Sequence, residues 1–179
     1  MSDSSRPGRN IEIKARVADR EAVERRAAQL ADRGPIRIAQ ADTFFHCARG
    51  RLKLRVFEDG SGELIQYDRP DERAPSESSY TIHRSRDPGP LHAALANALG
   101  VRGVVRKVRT LYLAGAARIH LDRVAELGDF AELEVVLEPG ESAAAGTATA
   151  ARLMHTLGIE ARDLVEAAYI DLLERRPGD

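Results

Sequence analysis

Tryptophan is absent, cysteine occurs once, and Phe and Tyr supply four residues each, so aromatics make up only 4% of the 179 residues. So few aromatics leave no obvious partner interface of the usual aromatic-rich kind. The lone Cys47 has no partner for an intrachain disulfide and reads as a small strand residue, not as a nucleophile or metal ligand. No stretch approaches the roughly 18 apolar residues of a membrane span, and the opening MSDSSRPGRN has no apolar signal region. A soluble cytoplasmic protein with no membrane partner is the expectation. An excess of one charge is missing too: 27 Lys plus Arg stand against 28 Asp plus Glu, for a net charge of -1. That balance argues against a dedicated nucleic-acid binder, which carries a basic excess or stripe.

What is present is one domain's worth of chain, long enough to enclose a core or a modest ligand cavity. Residues 1–8, rich in Ser, Pro and Gly, read as a loose tail ahead of a single domain over 9–175. Asn10 to Val17 alternates polar and apolar, which is strand periodicity, and 20–33 is rich in helix formers. Strand candidates follow at 36–46, 50–57 and 62–69, then a polar loop over 70–79 and a strand at 80–86. An Ala/Leu-rich helix fits 88–99, three more strands fit 103–112, 116–123 and 128–138, and helices fit 143–157 and 162–175. Many short strands with hairpin turns predict an α+β fold, a predominantly antiparallel eight-stranded barrel or tunnel with surrounding helices.

Period two also sorts the charges. Asn10, Glu12, Lys14 and Arg16 share a face, as do Arg51, Lys53 and Arg55, then Lys107 and Arg109. Arg118, His120 and Asp122 share another, and Glu132 and Glu134 another. A solvated charged sheet face is the simpler reading of any one strand. Taken together, like charges at i, i+2 and i+4 repel unless an anion lies among them, and helices cover a sheet only on an apolar face. A barrel with apolar residues outward under the helices and charged residues inward satisfies both. Convergent Lys and Arg suit a polyphosphate. The carboxylates Glu12, Asp122, Glu132 and Glu134 suit such a ligand only with a hard divalent cation, Mg²⁺ or Mn²⁺, between them and the phosphate oxygens.

These segments resemble the CYTH superfamily of triphosphate tunnel enzymes, over roughly residues 9–173. The resemblance is carried by Asn10-Ile11-Glu12-Ile13-Lys14, Arg51-Leu52-Lys53-Leu54-Arg55, Arg106-Lys107-Val108-Arg109, His120-Leu121-Asp122 and the stretch Leu127 to Glu134. The segment Leu164 to Leu173 is similar to the family's closing helix. The resemblance implies that Glu12, Glu132 and Glu134 hold the metal with Asp122 close by. It implies that Lys14, Lys53, Arg55, Lys107 and Arg109 bind phosphate oxygens, and that catalysis rests on Glu12, Lys14 and Glu134. Arg51 and Arg118 join the phosphate set, but they, like His120, are equally open to reading as paired structural residues. Two positions depart from the family. Asn10 replaces the first glutamate and loses one acidic ligand, and Gln66 and Tyr67 stand where many relatives have a lysine nearby, with Arg69 and Arg84 as candidates to compensate.

The layout, above all NIEIKAR, GRLKLR and the LGDF turn, looks closest to class IV adenylyl cyclase-like bacterial members. The expected reaction is conversion of ATP to cyclic AMP and pyrophosphate. Hydrolysis of a nucleoside, thiamine or inorganic triphosphate is the alternative, and a non-catalytic triphosphate-binding module, favoured by Asn10, is a third. His46, His83, His92 and His155 read as structural or surface residues, and no residue is assigned as general base. By the same resemblance a homodimer is an expected assembly.

Overall fold

Alternation is realised strand by strand. In the computed structural model, which describes residues 8–176, β1 (Gly8–Arg16) leads into α1 (Arg20–Leu30). The strands β2 (Arg33–Phe45), β3 (Arg51–Phe57), β4 (Gly62–Asp68) and β5 (Ser76–Ser85) then form one meander. After α2 (Pro88–Leu99), a second meander consists of β6 (Val101–Ala114), β7 (Ala117–Val124) and β8 (Gly128–Val136). The helices α3 (Ala143–Leu157) and α4 (Tyr169–Glu174) complete the order. Around the barrel the strands run β1-β5-β4-β3-β2-β6-β7-β8, and β8 pairs back onto β1, every pairing being antiparallel. Closure removes the unpaired sheet edges that would otherwise invite aggregation. The expected α+β, eight-stranded barrel is the observed fold.

The apolar faces decide which way the charges point. Ile13 and Ala15 of β1, Ile119 and Leu121 of β7 and Leu133 of β8 pack outward against Val23 and Ala27 of α1 and Leu157 of α3. Burying each large aliphatic side chain contributes about 1.5–3 kcal/mol, so inverting the strands is strongly disfavoured. Asp19 caps α1 by accepting from the Ala22 amide at 2.9 Å, and Ser142 caps α3. Gly146 lets α3 lie close on the barrel, since a Cβ there would come within 2.6 Å of Ile11 and 2.7 Å of Leu137.

Most boundaries shift by a residue or a few, and the instructive differences arise where tertiary pairing overrides local preference. Helix α1 stops at Leu30, short of 33, because Arg33 already pairs with Leu113 of β6. The polar loop expected over 70–79 is shorter, because Ser76 and Ser78 pair with Glu12 and Asn10. Gly8 is the first residue of β1, opposite Tyr80, and residues 1–7 of the expected tail lie outside the described residues. The single helix expected over 162–175 is broken into a 3-10 turn at Ala161–Asp163, an extended run, and α4. The extended run bonds to the barrel: Leu164 bridges to Ala15, and the Val165 amide donates to the Lys14 carbonyl at 2.8 Å.

This run carries Ala168, Tyr169 and Ile170 onto Phe44, Val105 and Phe130 and closes one end of the barrel. Gly103 admits the Ile170 side chain, which would lie 2.6 Å from a Cβ at that position. Asp171 fastens the closure, accepting from Arg102 at 2.5 Å, Arg51 at 2.9 Å and the Ala168 amide at 3.0 Å. No helix among the described residues is long and apolar enough to cross a membrane.

Candidate active site

The barrel encloses a cavity of about 470 Å³. Its floor is Ala168 and Tyr169, both buried, and its open rim carries the exposed Ile82 and Arg84. Phosphate-binding candidates gather toward the floor. Lys53 and Arg55 enter from β3, Lys107 and Arg109 from β6, and Lys14 from β1. Lys14 Nζ lies 4.1 Å and Lys107 Nζ 4.8 Å from the centre of the Tyr169 ring, an arrangement that favours cations over an aromatic face.

Each cation has a carboxylate partner. Asp42 takes Arg55 through two bonds of 2.9 Å and Lys53 at 2.9 Å, and Gln40 donates to it at 3.0 Å. Arg69 donates to Glu12 at 2.7 Å and to the Glu166 carbonyl at 2.9 Å. Glu132 is 3.5 Å from Lys14 and 3.8 Å from Lys107 and is bonded by Arg109. The lining is nonetheless basic on balance: eight Lys and Arg side chains, Arg84 and Arg118 at the rim included, are set against the five carboxylates of Glu12, Asp42, Glu63, Glu132 and Glu134.

Burial and pairing set the charge states. Burial pulls Lys14 down to about 8 against the pull of Glu132, and pulls Lys53 down to about 8 against Asp42. Burial would raise Asp42, but Arg55 and Lys53 outweigh it and hold the carboxyl well below the usual range. Glu12 behaves oppositely: burial raises it, and Arg69 only partly offsets the shift. Burial, reinforced by Arg109, brings His120 down to about 4, so its imidazole is neutral near pH 7.

A pH prediction follows from the two lysines. Both are protonated below about pH 8 in the free protein, and a bound phosphate raises their pKa. Above that pH, binding must take up protons, so affinity falls as pH rises, by up to about tenfold per pH unit for each lysine. Calorimetry with inorganic tripolyphosphate between about pH 7 and about pH 9.5 checks this. A flat profile would mean that neither lysine meets the ligand.

The sequence-derived residues divide into three groups. Glu12, Lys14, Lys53, Arg55, Lys107, Arg109, Glu132 and Glu134 converge on the cavity. Arg118 stands at the rim, 43% exposed and 3.4 Å from Glu134. Arg51 and Asp122 stand apart. Arg51 shares the face of Lys53, but lies past the floor, where Asp71 at 2.7 Å and Asp171 take it up. Asp122 is fully buried beneath the lining, with Lys107 at 2.6 Å, Arg109 at 2.7 Å through both oxygens, and the Tyr169 hydroxyl donating at 3.2 Å. Those contacts commit its oxygens to Lys107, Arg109 and Tyr169, and it is not among the residues lining the cavity.

Sequence reasoning missed Asp42 and gave Arg69 only a compensating place. Asp42 follows from alternation along β2, where Ile38, Gln40, Asp42 and Phe44 all line the cavity, but this mixed face carries no repeated charge to draw notice. Of the two arginines named as compensating, Arg69 is inside, whereas Arg84 is an 83% exposed rim residue paired with Glu63.

The donor set suits a divalent cation. One donor atom from each of His120, Glu132 and Glu134 lies within 4.8 Å of the others. The Asn10 Oδ1 acceptor and the His120 Nδ1 atom are buried without a hydrogen-bond partner. Two carboxylates, an unmatched amide oxygen and an unmatched imidazole nitrogen lining one cavity are a donor set a cation can use.

No curated protein matches the sequence. Among solved structures, the Pyrococcus horikoshii OT3 protein PH1012 is similar at 26% identity with a TM-score of 0.81, covering 91% of this chain and 98% of that one. A Vibrio parahaemolyticus protein described as a candidate adenylate cyclase has a TM-score of 0.73 at 16% identity, covering 92% and 97%. The Hippeastrum protein HpAC1, described as a candidate adenylyl cyclase with a dominant triphosphatase activity, has a TM-score of 0.61 at 17% identity, covering 92% and 95%. Residues 8–169 match the family model described as the CYTH domain, and with a closed eight-stranded barrel lined by the expected basic and acidic strands the chain belongs to that family.

Proposed function

We propose that this protein binds an organic triphosphate as its divalent-metal complex and converts ATP to cyclic AMP and pyrophosphate. The observation that carries the reading is the polarity of the cavity along its axis. Lys14, Lys53 and Lys107 lie at the closed end around Phe44 and Tyr169, whereas Glu134 lies one strand layer nearer the rim, opposite Arg118. A triphosphate entering through the open end puts its terminal phosphates among the lysines and arginines. Its α-phosphorus and ester then lie nearest Glu134 and His120. The apolar rim residues Ile38, Phe57, Ile82 and Leu111 offer contact to an organic group.

In this reading Glu132 and Glu134 hold the cation, with Glu12 beside them. When bound, the cation neutralises charge and polarises phosphoryl oxygens. Lys53 and Arg55 stay on Asp42, and Lys107 and Arg109 on Asp122, which keep them aimed while their remaining donors grip the phosphates. The 3′-oxygen forms a bond to the α-phosphorus as its proton passes to solvent at the open rim, the bond from that phosphorus to the α–β bridging oxygen breaks, and the basic floor stabilises the charge that develops on pyrophosphate. Hydrolysis is the second reading. It draws on HpAC1, a protein of the same fold whose cyclase-like description accompanies a dominant triphosphatase activity.

A product assay tests the choice. The protein is incubated with ATP, GTP, thiamine triphosphate or inorganic triphosphate, with Mg²⁺ or Mn²⁺, and products are separated by chromatography. Cyclic AMP with stoichiometric pyrophosphate is expected. Orthophosphate with a diphosphate product would replace the cyclase by a hydrolase. Retained binding without turnover would make this a triphosphate-binding module, with Asn10 as the changed residue.

A further inference from the structure

One donor in the cavity differs in kind from the others around it. His120 is 4% exposed, and its Nδ1 is buried with no hydrogen-bond partner. That nitrogen lies 3.6 Å from Glu134 Oε1 and 3.9 Å from Glu132 Oε2. The clustering is built into the sheet: His120 of β7 is directly opposite Glu132 of β8, and Glu134 is the next residue on the same face of β8. A buried nitrogen left unpaired is destabilising, and one aimed between two carboxylates gains a partner when a cation enters. Lys14, Lys107 and Arg109 already pair with Glu132, and Arg118 with Glu134, so none of these cations takes up the nitrogen itself.

We infer that His120 is a ligand to the divalent cation, so that one imidazole and two carboxylates form a mixed nitrogen–oxygen site preferring Mn²⁺ or a later first-row ion to Mg²⁺. The inference rests on the reading that a cation is held at Glu132 and Glu134, and it adds the ligand that sets which cation. Mg²⁺ is bound almost wholly by oxygen and gives up its waters reluctantly. Imidazole suits the first-row transition ions, whose affinity for such a site rises from Mn²⁺ toward Cu²⁺. A site of Glu132 and Glu134 alone would have no such preference built in.

The test uses the full chain with Mn²⁺ alone and with Mn²⁺ plus inorganic tripolyphosphate, read by pulsed electron paramagnetic resonance. The expected result is a nitrogen hyperfine coupling of directly bound imidazole, abolished by His120→Gln. Calorimetry on the same samples is expected to give at least about tenfold weaker Mn²⁺ binding in the variant, since even outer partners of metal ligands act on that scale. Mg²⁺ affinity should fall less. The coupling is read on the unaltered protein, so the outcome does not depend on how well the variant folds. Saturable Mn²⁺ binding without nitrogen coupling overturns the role of His120 and leaves the metal–triphosphate reading standing. No saturable Mn²⁺ binding with either probe overturns both.

Discussion

Replacing Glu134 by Gln is expected to lower turnover by about 10²–10³-fold, the scale on which one preorganised electrostatic group in a water-excluded site acts. Gln keeps the size of the side chain and removes the charge. Glu134 is the carboxylate best suited to this test because its existing bonds are weak: Arg118 is 3.4 Å away and His120 3.6 Å away. Glu132, by contrast, is bonded by Arg109 and flanked by Lys14 and Lys107, so its loss would disturb the phosphate cradle as well. Glu134→Gln should therefore retain its melting temperature and its binding of metal-free tripolyphosphate while losing Mn²⁺ affinity. Steady-state kinetics at saturating Mn²⁺, paired with thermal melts, separate these effects. Turnover close to that of the unaltered protein would mean that no catalytic cation is held at Glu134.

Most of the barrel was legible because a period of two has one physical consequence. Residues such as Lys53 and Arg55 must share a face, and the Ile and Leu residues between them claim the other for the helices. What the period does not reveal is depth along the barrel axis. Arg51 and Asp122 lie on inward faces as expected, yet Arg51 falls beyond the floor, and Asp122 meets Lys107 and Arg109 only through the pairing of Arg109 with Asp122 across β6 and β7. Cross-strand register of that kind is not written in either strand alone. The floor was hidden for a related reason. The stretch after Asp163 has helix-forming residues, but Leu164 and Val165 find β1 backbone partners that local propensity cannot anticipate. Arg69 follows the end of β4 and is drawn inward by Glu12 and the Glu166 carbonyl, so its position depends on that same closing segment.

Asp122 is where the two kinds of role can be told apart by experiment. Its carboxylate is shared by Lys107, Arg109 and the Tyr169 hydroxyl, with no exposure to solvent. Burial alone would raise its pKa, but Arg109 and Lys107 outweigh burial and push the carboxyl below the ordinary range. Removing one partner of a buried ion pair costs about 3–5 kcal/mol, because the remaining charges stay desolvated and unpaired. Asp122→Asn preserves volume and removes that charge, leaving Glu132 as the nearest carboxylate to both cations. The urea midpoint is expected to fall by an amount matching this cost at an unchanged slope. The pH dependence should change with it. A carboxyl whose folded pKa is depressed stabilises fully above its unfolded value of about 3.9, and that stability disappears as pH falls toward the folded value. The variant should lack this contribution at every pH, so the gap between the two proteins narrows in acid. Tripolyphosphate should restore part of the lost stability, since its oxygens take the place of the missing carboxylate beside Lys107 and Arg109 and binding favours the folded state. Mn²⁺ affinity should be nearly unchanged, because the oxygens of Asp122 are occupied by those two cations. An unchanged urea midpoint combined with lost Mn²⁺ binding would return Asp122 to the metal site.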